Sequence, residues 1–177
     1  MSYYSLISSL PNLYIGCENP ISKDELINKC SNILNENELI IIKSIFTNTY
    51  HDHKIINLWK NIDIQIKNSL VKHRSQLLNI DGKKYLRNHN GYSGLIDNSL
   101  SIILAEKNPA KIEKEIDFLR FQLLEDLVEN FFSFEKIIVY SIQLKIVIRW
   151  EMMNEEIGYE NLEEIIKKNT SSEKVII

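Results

Sequence analysis

NPAKIEKEIDFLRFQLLEDLVENFFSFEKIIVYSIQLKIVIRW, residues 108–150, reads as two helices joined by a short turn. Asn108 is an N-cap residue and Pro109 takes the first helical position, where its missing N–H costs nothing. Ile112, Ile116, Leu119, Leu123, Leu127 and Phe131 follow at spacings of three and four. They form the strongest amphipathic stripe in the chain, with Ile116 and Leu123 expected in the core. Ser133 is placed to cap the second helix, predicted to run to about Glu156 and to stop at Gly158. This helix is apolar almost all round, so most of its surface should be buried. Its polar members Ser141, Lys145 and Arg149 recur every four residues and share one narrow stripe.

Outward from this hairpin, the placement of glycine and proline sets the fold class. The chain of 177 residues holds five Gly and three Pro. None lies between Ile21 and Asp81, and only Pro109 lies between Leu95 and Ile157. Intervals of that length suit helices, because a sheet needs turn residues far more often. The heavy use of Ile and Asn is discounted as a strand or turn signal, since an AT-rich genome is its simplest cause. Ser22 followed by Glu25 fits a capping box. That helix carries Leu26, Ile27, Cys30, Ile33 and Leu34, and another is predicted from Glu36 to Phe46. Residues 52–80 hold one or two more, with Ile55, Ile56, Trp59, Ile62 and Ile66 on one face and Asp52 as the cap. A last short helix is placed at Glu160–Lys168. The expected architecture is one all-α domain, a bundle of about six helices with an amphipathic C-terminal hairpin. Residues 1–19 form an N-terminal arm, 81–94 a loop and 169–177 a frayed tail.

Composition narrows the function classes. Hydrophobic residues make up 44% and charged residues 25%, with a formal net charge of −3. No apolar run is long enough for a membrane span, and the start MSYYSLISSLP lacks the form of a secretory signal. Cys17 and Cys30 argue against a disulfide framework, so the expected compartment is the cytoplasm. Charge is uneven: residues 51–108 carry nine basic and five acidic side chains and all four histidines, whereas residues 109–177 carry nine and fourteen.

Few patterns point to chemistry. His51-Asp52-His53 resembles a metal cluster, but residues two apart on a helix diverge, and no further ligand is set by spacing. Glu125, Asp126 and Glu129 read as a solvated face rather than paired catalytic carboxylates. Phosphate-loop, dinucleotide, zinc-protease and serine-hydrolase motifs are absent. The expectation is no enzyme, no cofactor and no metal. Lys83, Lys84 and Arg87, interleaved with Tyr85 and Tyr92, offer an alternative: a nucleic-acid or phosphate-binding loop.

Two stretches carry a resemblance. Tyr3-Tyr4 with Leu10-Pro11, then Pro20-Ile21-Ser22, and in the C-terminal third Leu119-Arg120-Phe121 with Leu123-Leu124-Glu125, and Tyr140, Leu144-Lys145, Ile148 and Arg149-Trp150, are similar to an uncharacterised bacterial family. Its members open with two tyrosines and carry "LR-aromatic-x-LLDE" and "YALKLQILERW" helices. The similarity covers roughly residues 1–45 and 109–166, leaving 46–108 unassigned. The family is encoded in V-type ATPase (V-type ATP synthase) operons. The resemblance implies a non-catalytic accessory or structural subunit, analogous to part of the C (or d) socket that couples the central stalk to the membrane ring. It also implies stalk or ring subunits as partners and a cytoplasmic place at the inner face of the membrane. No nucleic acid is expected, because the excess of positive charge over residues 51–108 is weak for such a partner. Arg120, Lys145, Arg149 and Trp150 are the candidate partner contacts, because Arg and aromatic residues dominate interface hot spots. Lys145 or Arg149 is also placed to pair internally with Glu113, Asp117 or Glu125 across the hairpin.

Overall fold

The computed structural model describes residues 3–47, 49 and 51–153. Among these the chain is all-α, with no strand: α1 (Tyr4–Ser8), α2 (Lys23–Ser31), α3 (Glu36–Thr47), α4 (Lys54–Leu78), a 3-10 turn (Lys83–Tyr85), α5 (Gly94–Ile103), α6 (Pro109–Glu125) and α7 (Phe134–Glu151).

The helix starts follow local chemistry. Glu25 N–H donates to Ser22 Oγ at 3.2 Å and Ser22 N–H donates to Glu25 Oε2 at 2.8 Å, so the capping box is complete. Hydrogen bonds from the Ser22 backbone and side chain hold the Glu25 carboxyl below its ordinary pKa. Asn35 and Glu38 make the same reciprocal pair at the start of α3, at 3.0 and 3.1 Å. Asn108 Oδ1 accepts from Ala110 and Lys111, and Pro109 follows as the first helical residue.

Several boundaries differ from the sequence reading. The cap of α4 is His53, whose Nδ1 accepts from Ile55 N–H at 3.2 Å, while Asp52 accepts from the Asn57 side chain. Of the one or two helices expected over residues 52–80, the structure has one, of 25 residues. The α6 stripe breaks at Glu125, before Leu127 and Phe131, because the chain must turn to start α7; Phe131 is left exposed. Ser133 is the N-cap residue of α7 but makes no side-chain capping bond. The N-terminal arm is a packed element: Leu6, Ile7 and Ile15 are buried, and α1 forms within it. Helix α5 was hidden in the stretch left unassigned. The predicted stop at Gly158, the helix at Glu160–Lys168 and the tail lie outside the described residues.

The core has two parts. The larger gathers α1, α2, α3, the start of α4 and the end of α6 around α7, with Leu6, Leu26, Ile42, Leu124, Ile138 and Leu144 fully buried. The smaller joins the middle of α4 to α5 and α6 through Ile66, Ile96, Leu100, Ile116 and Leu119. The face Ile55–Ile66 of α4 is shared, its first half going to the larger cluster and Ile62 and Ile66 to the smaller. Helix α6 therefore has apolar partners on two sides. Ile116 is buried as expected, but Leu123 is only half-buried; Leu124, facing the larger cluster, is the fully enclosed one.

Candidate functional site

The most concentrated polar chemistry lies where α4, α6 and α7 meet. Asp117 on α6 is fully buried. Its Oδ1 accepts from Arg120 Nη1 at 2.8 Å; its Oδ2 accepts from Trp150 Nε1 at 2.6 Å and from Arg149 Nη2. Arg120 extends on to Asp63 of α4 at 3.3 Å, and Lys67, one turn along α4, pairs with Asp63 at 2.6 Å. Glu113, one turn before Asp117, lies 3.7 Å from Arg149. Three cations thus meet three carboxylates. A buried carboxylate is tolerated only when its lone pairs are satisfied, and both Asp117 oxygens have donors. The group is a charge-balanced knot that pins three helices, with no unpaired carboxylate oxygen on Asp117 to act as a base.

Of the four candidate partner contacts, Arg120, Arg149 and Trp150 converge on this knot. Lys145 sits elsewhere, donating through Nζ to the Ile45 carbonyl at 2.5 Å near the end of α3. Burial pushes its ammonium pKa down. All four polar heads are engaged within the chain, although about 40% of the Arg149 side chain is exposed. Glu125 forms a second bridge of the hairpin, accepting from Lys136 Nζ at 2.5 Å and from Gln143 Nε2 at 2.8 Å. That bridge lines a cleft of about 430 Å³ between the N-terminal segment, α6 and α7, whose walls include Leu10, Tyr14, Phe121 and Phe131. Among the described residues no three His, Cys, Asp or Glu side chains come close enough to hold a metal ion, and no helix is long and apolar enough to cross a membrane.

The basic loop is built differently. Three amide side chains along α4 hold its backbone. Asn68 donates to the Arg87 carbonyl at 2.7 Å and accepts from Arg87 N–H at 2.9 Å. Gln65 donates to the Ser93 carbonyl at 2.8 Å and accepts from Ser93 N–H at 3.1 Å. Asn61 accepts from Asn90 N–H at 2.9 Å. Asp97 of α5 completes the clamp, accepting from Ser69 Oγ at 2.6 Å and Tyr92 Oη at 2.8 Å. Burial works against its charge, but bonds from Ser69, Tyr92 and Gln65 win, and its pKa is lowered. With the backbone held inward, Lys83, Lys84 and Arg87 are exposed on the surface. The loop side of the clamp, Arg87 and Tyr92, is legible in the sequence; the residues that hold it, Asn61, Gln65, Asn68, Ser69 and Asp97, are not. Their signal was Asn61, Gln65 and Asn68 recurring at four and three residues, one face of a helix.

Residues 98–172 match the model of a family described as a protein of unknown function (DUF2764). The matched stretch takes in α6 and α7, and with them Asp117, Arg120, Arg149 and Trp150. No curated protein and no solved structure gives a significant match to the chain.

Proposed function

We propose that the chain is a non-catalytic accessory or structural subunit associated with a bacterial V-type ATPase. In this reading it sits at the inner face of the membrane and helps couple the central stalk to the membrane ring. The observation that carries the proposal is the convergence of two separate motif segments. Asp117-Phe118-Leu119-Arg120 and Arg149-Trp150 belong to the two helices by which the sequence resembles the family of V-type ATPase operons, and their side chains meet in one knot. A socket in a rotary motor needs rigidity and shaped surfaces rather than reacting groups. A knot joining α4, α6 and α7 supplies that rigidity.

The test is affinity capture of the tagged full chain from membranes of its native host, with the bound proteins identified by mass spectrometry. Stalk or ring subunits should be recovered with or without added nucleotide, because the chain has no phosphate-cradling loop of its own. Recovery of RNA, or of proteins that include no ATPase subunit, overturns the reading.

A further inference from the structure

We infer that the cleft between the N-terminal segment, α6 and α7 is a docking surface for a proline-rich segment of a partner protein, with Lys or Arg beside its prolines. The inference goes beyond the ATPase reading and does not depend on it.

Three observations meet at this cleft. The first is a continuous aromatic surface. Tyr14 and Phe131 stand on its walls, 60% and 56% exposed, and the same walls include Leu10 and Phe121. Phe131 meets Phe132 edge-on with ring centroids 5.2 Å apart, and Phe132 meets Tyr4 at 4.8 Å. Four of the seven exposed aromatic side chains among the described residues are thus joined here. Single exposed apolar residues are ordinary, but rings linked in one surface mark an interaction site. The second is a set of open hydrogen-bond donors. Asn12, Tyr14 and Gln122 line the cleft, and their side chains make no hydrogen bond to a described residue. The third is charge. From Phe121 to Glu135 the chain has four carboxylates and no Lys or Arg, and residues 3–22 add only Glu18. Asp126 and Glu129 are exposed on the turn that presents Phe131 and Phe132, with no described cation within ion-pair distance. Lys136, the cation among the lining residues, is bonded to Glu125 and lies 5.0 Å over the Phe131 ring.

Together these features select the occupant. A polyproline II segment has no internal hydrogen bonds, so its carbonyls are free to accept from the Asn12 and Gln122 amides and the Tyr14 hydroxyl. Its proline rings pack on aromatic walls, and its backbone is ordered before it binds, so little entropy is lost. The carboxylates of the turn match Lys or Arg flanking the prolines. Lys114 Nζ lies beside Gly16, 3.3 Å from where a Cβ would stand. That is about three turns of α6 before Glu125, so the basic end of the segment is directed to the turn. An amphipathic helix fits less well, because its carbonyls are bonded within the helix and offer the cleft's donors nothing. Strand addition needs a sheet edge, and the described residues form no strand. An anionic membrane surface is repelled by Asp126 and Glu129.

The experiment titrates the full chain into a fluorescein-labelled polyproline peptide ending in arginines, read by anisotropy. Controls are the same peptide ending in glutamates, and a glycine–serine peptide ending in arginines. The proline–arginine peptide should bind at least about tenfold more tightly than either control. Tyr14→Ala and Phe131→Ala should each weaken it by about tenfold. Asn12→Ala with Gln122→Ala should weaken it while keeping the preference for arginine. Asp126→Lys with Glu129→Lys should remove that preference. Every altered side chain is exposed, so an unchanged melting temperature shows that the fold is intact. Absence of saturable binding, or equal binding by the variants or the glycine–serine peptide, overturns the inference. Displacement of the peptide by a tighter-binding leucine–lysine amphipathic helix also overturns it and assigns the cleft to a helix. Adsorption to anionic phospholipid vesicles that Tyr14→Ala and Phe131→Ala abolish overturns it in favour of a membrane. Concentration-dependent dimerisation abolished by Phe131→Ala overturns it in favour of a second copy of the chain.

Discussion

At Asp117 two guanidinium groups and an indole N–H converge on one carboxylate. It receives Arg120, Arg149 and Trp150 while fully buried, so its removal leaves two guanidinium groups short of their counter-charge. Asp117→Asn should destabilise by about 3–5 kcal/mol in denaturant melts. Arg149→Ala should cost less, about 1–2 kcal/mol, because Asp117 keeps two donors and the Arg149 side chain is partly solvated. A larger loss for Arg149→Ala than for Asp117→Asn would contradict the geometry. This ordering also bears on Arg149 as a partner contact: a residue working inside the fold lowers the melting point and leaves partner affinity unchanged. The pairing was legible as one option, since Glu113, Asp117 and Arg149 fall on facing helices of an antiparallel hairpin. The choice of Asp117 over Glu113 and Glu125 was not. It depends on how far α6 is rotated, which the packing of Leu124 and Leu119 on opposite neighbours decides.

At the scale of elements, short-range chemistry and packing make separate contributions. The Ser22–Glu25 box was readable because both partners lie within one turn. Ser22→Ala should cost about 1 kcal/mol in a chemical melt. Leu124→Ala should cost about 2–5 kcal/mol, and Leu123→Ala distinctly less, since only Leu124 is enclosed; equal losses would mean that α6 is rotated differently. The clamp on the loop is a further element-scale device. Asn68→Ala removes both bonds to Arg87 and should expose residues 83–92 to limited proteolysis while the helical circular dichroism is kept. Unchanged cleavage kinetics would show that the amide row does not hold the loop. The clamp is not legible in the sequence, because asparagine is common throughout the chain and a side chain that bonds backbone 19 to 29 residues away leaves no local trace. Helix α5 is hidden for a related reason: its N-terminus makes no side-chain capping bond, so no start signal stands out.

For the whole molecule, buried titratable groups set the alkaline limit. Burial raises the Cys30 thiol from 9.0 to about 11, and the hydrogen bond to Glu38, with burial, raises the Tyr3 phenol from 10.0 to about 12. Burial also raises Tyr140, whose hydroxyl donates to the Pro11 carbonyl at 2.8 Å. In each case the unfolded chain loses its proton first. Stability from these groups is therefore complete below pH 9 and is lost as pH climbs through the folded values. Lys145 acts in the opposite sense, because its pKa is lowered and the cost of its buried charge is relieved toward pH 10.5. Three groups oppose one, so melts should show stability falling between pH 9 and 12. Cys30→Ala should remove the earliest part of the fall; a decline that begins at the same pH in that variant would remove Cys30 from the account.

The sequence by itself determined the class of fold, the C-terminal hairpin and the positions of the best-capped helix starts. Each of these rests on interactions within about a turn, or on the absence of Gly and Pro over long intervals. Only the tertiary structure decided which carboxylate takes Arg149, that Arg120 and Trp150 share it, that the N-terminal segment is core, and that the basic loop is held against α4. Those outcomes depend on helix rotation and on contacts between residues as far apart as Pro11 and Tyr140. A periodic stripe says that a helix has an inner face; it does not say which of two neighbours that face will meet. Helix α6, enclosed on two sides, is where the difference shows.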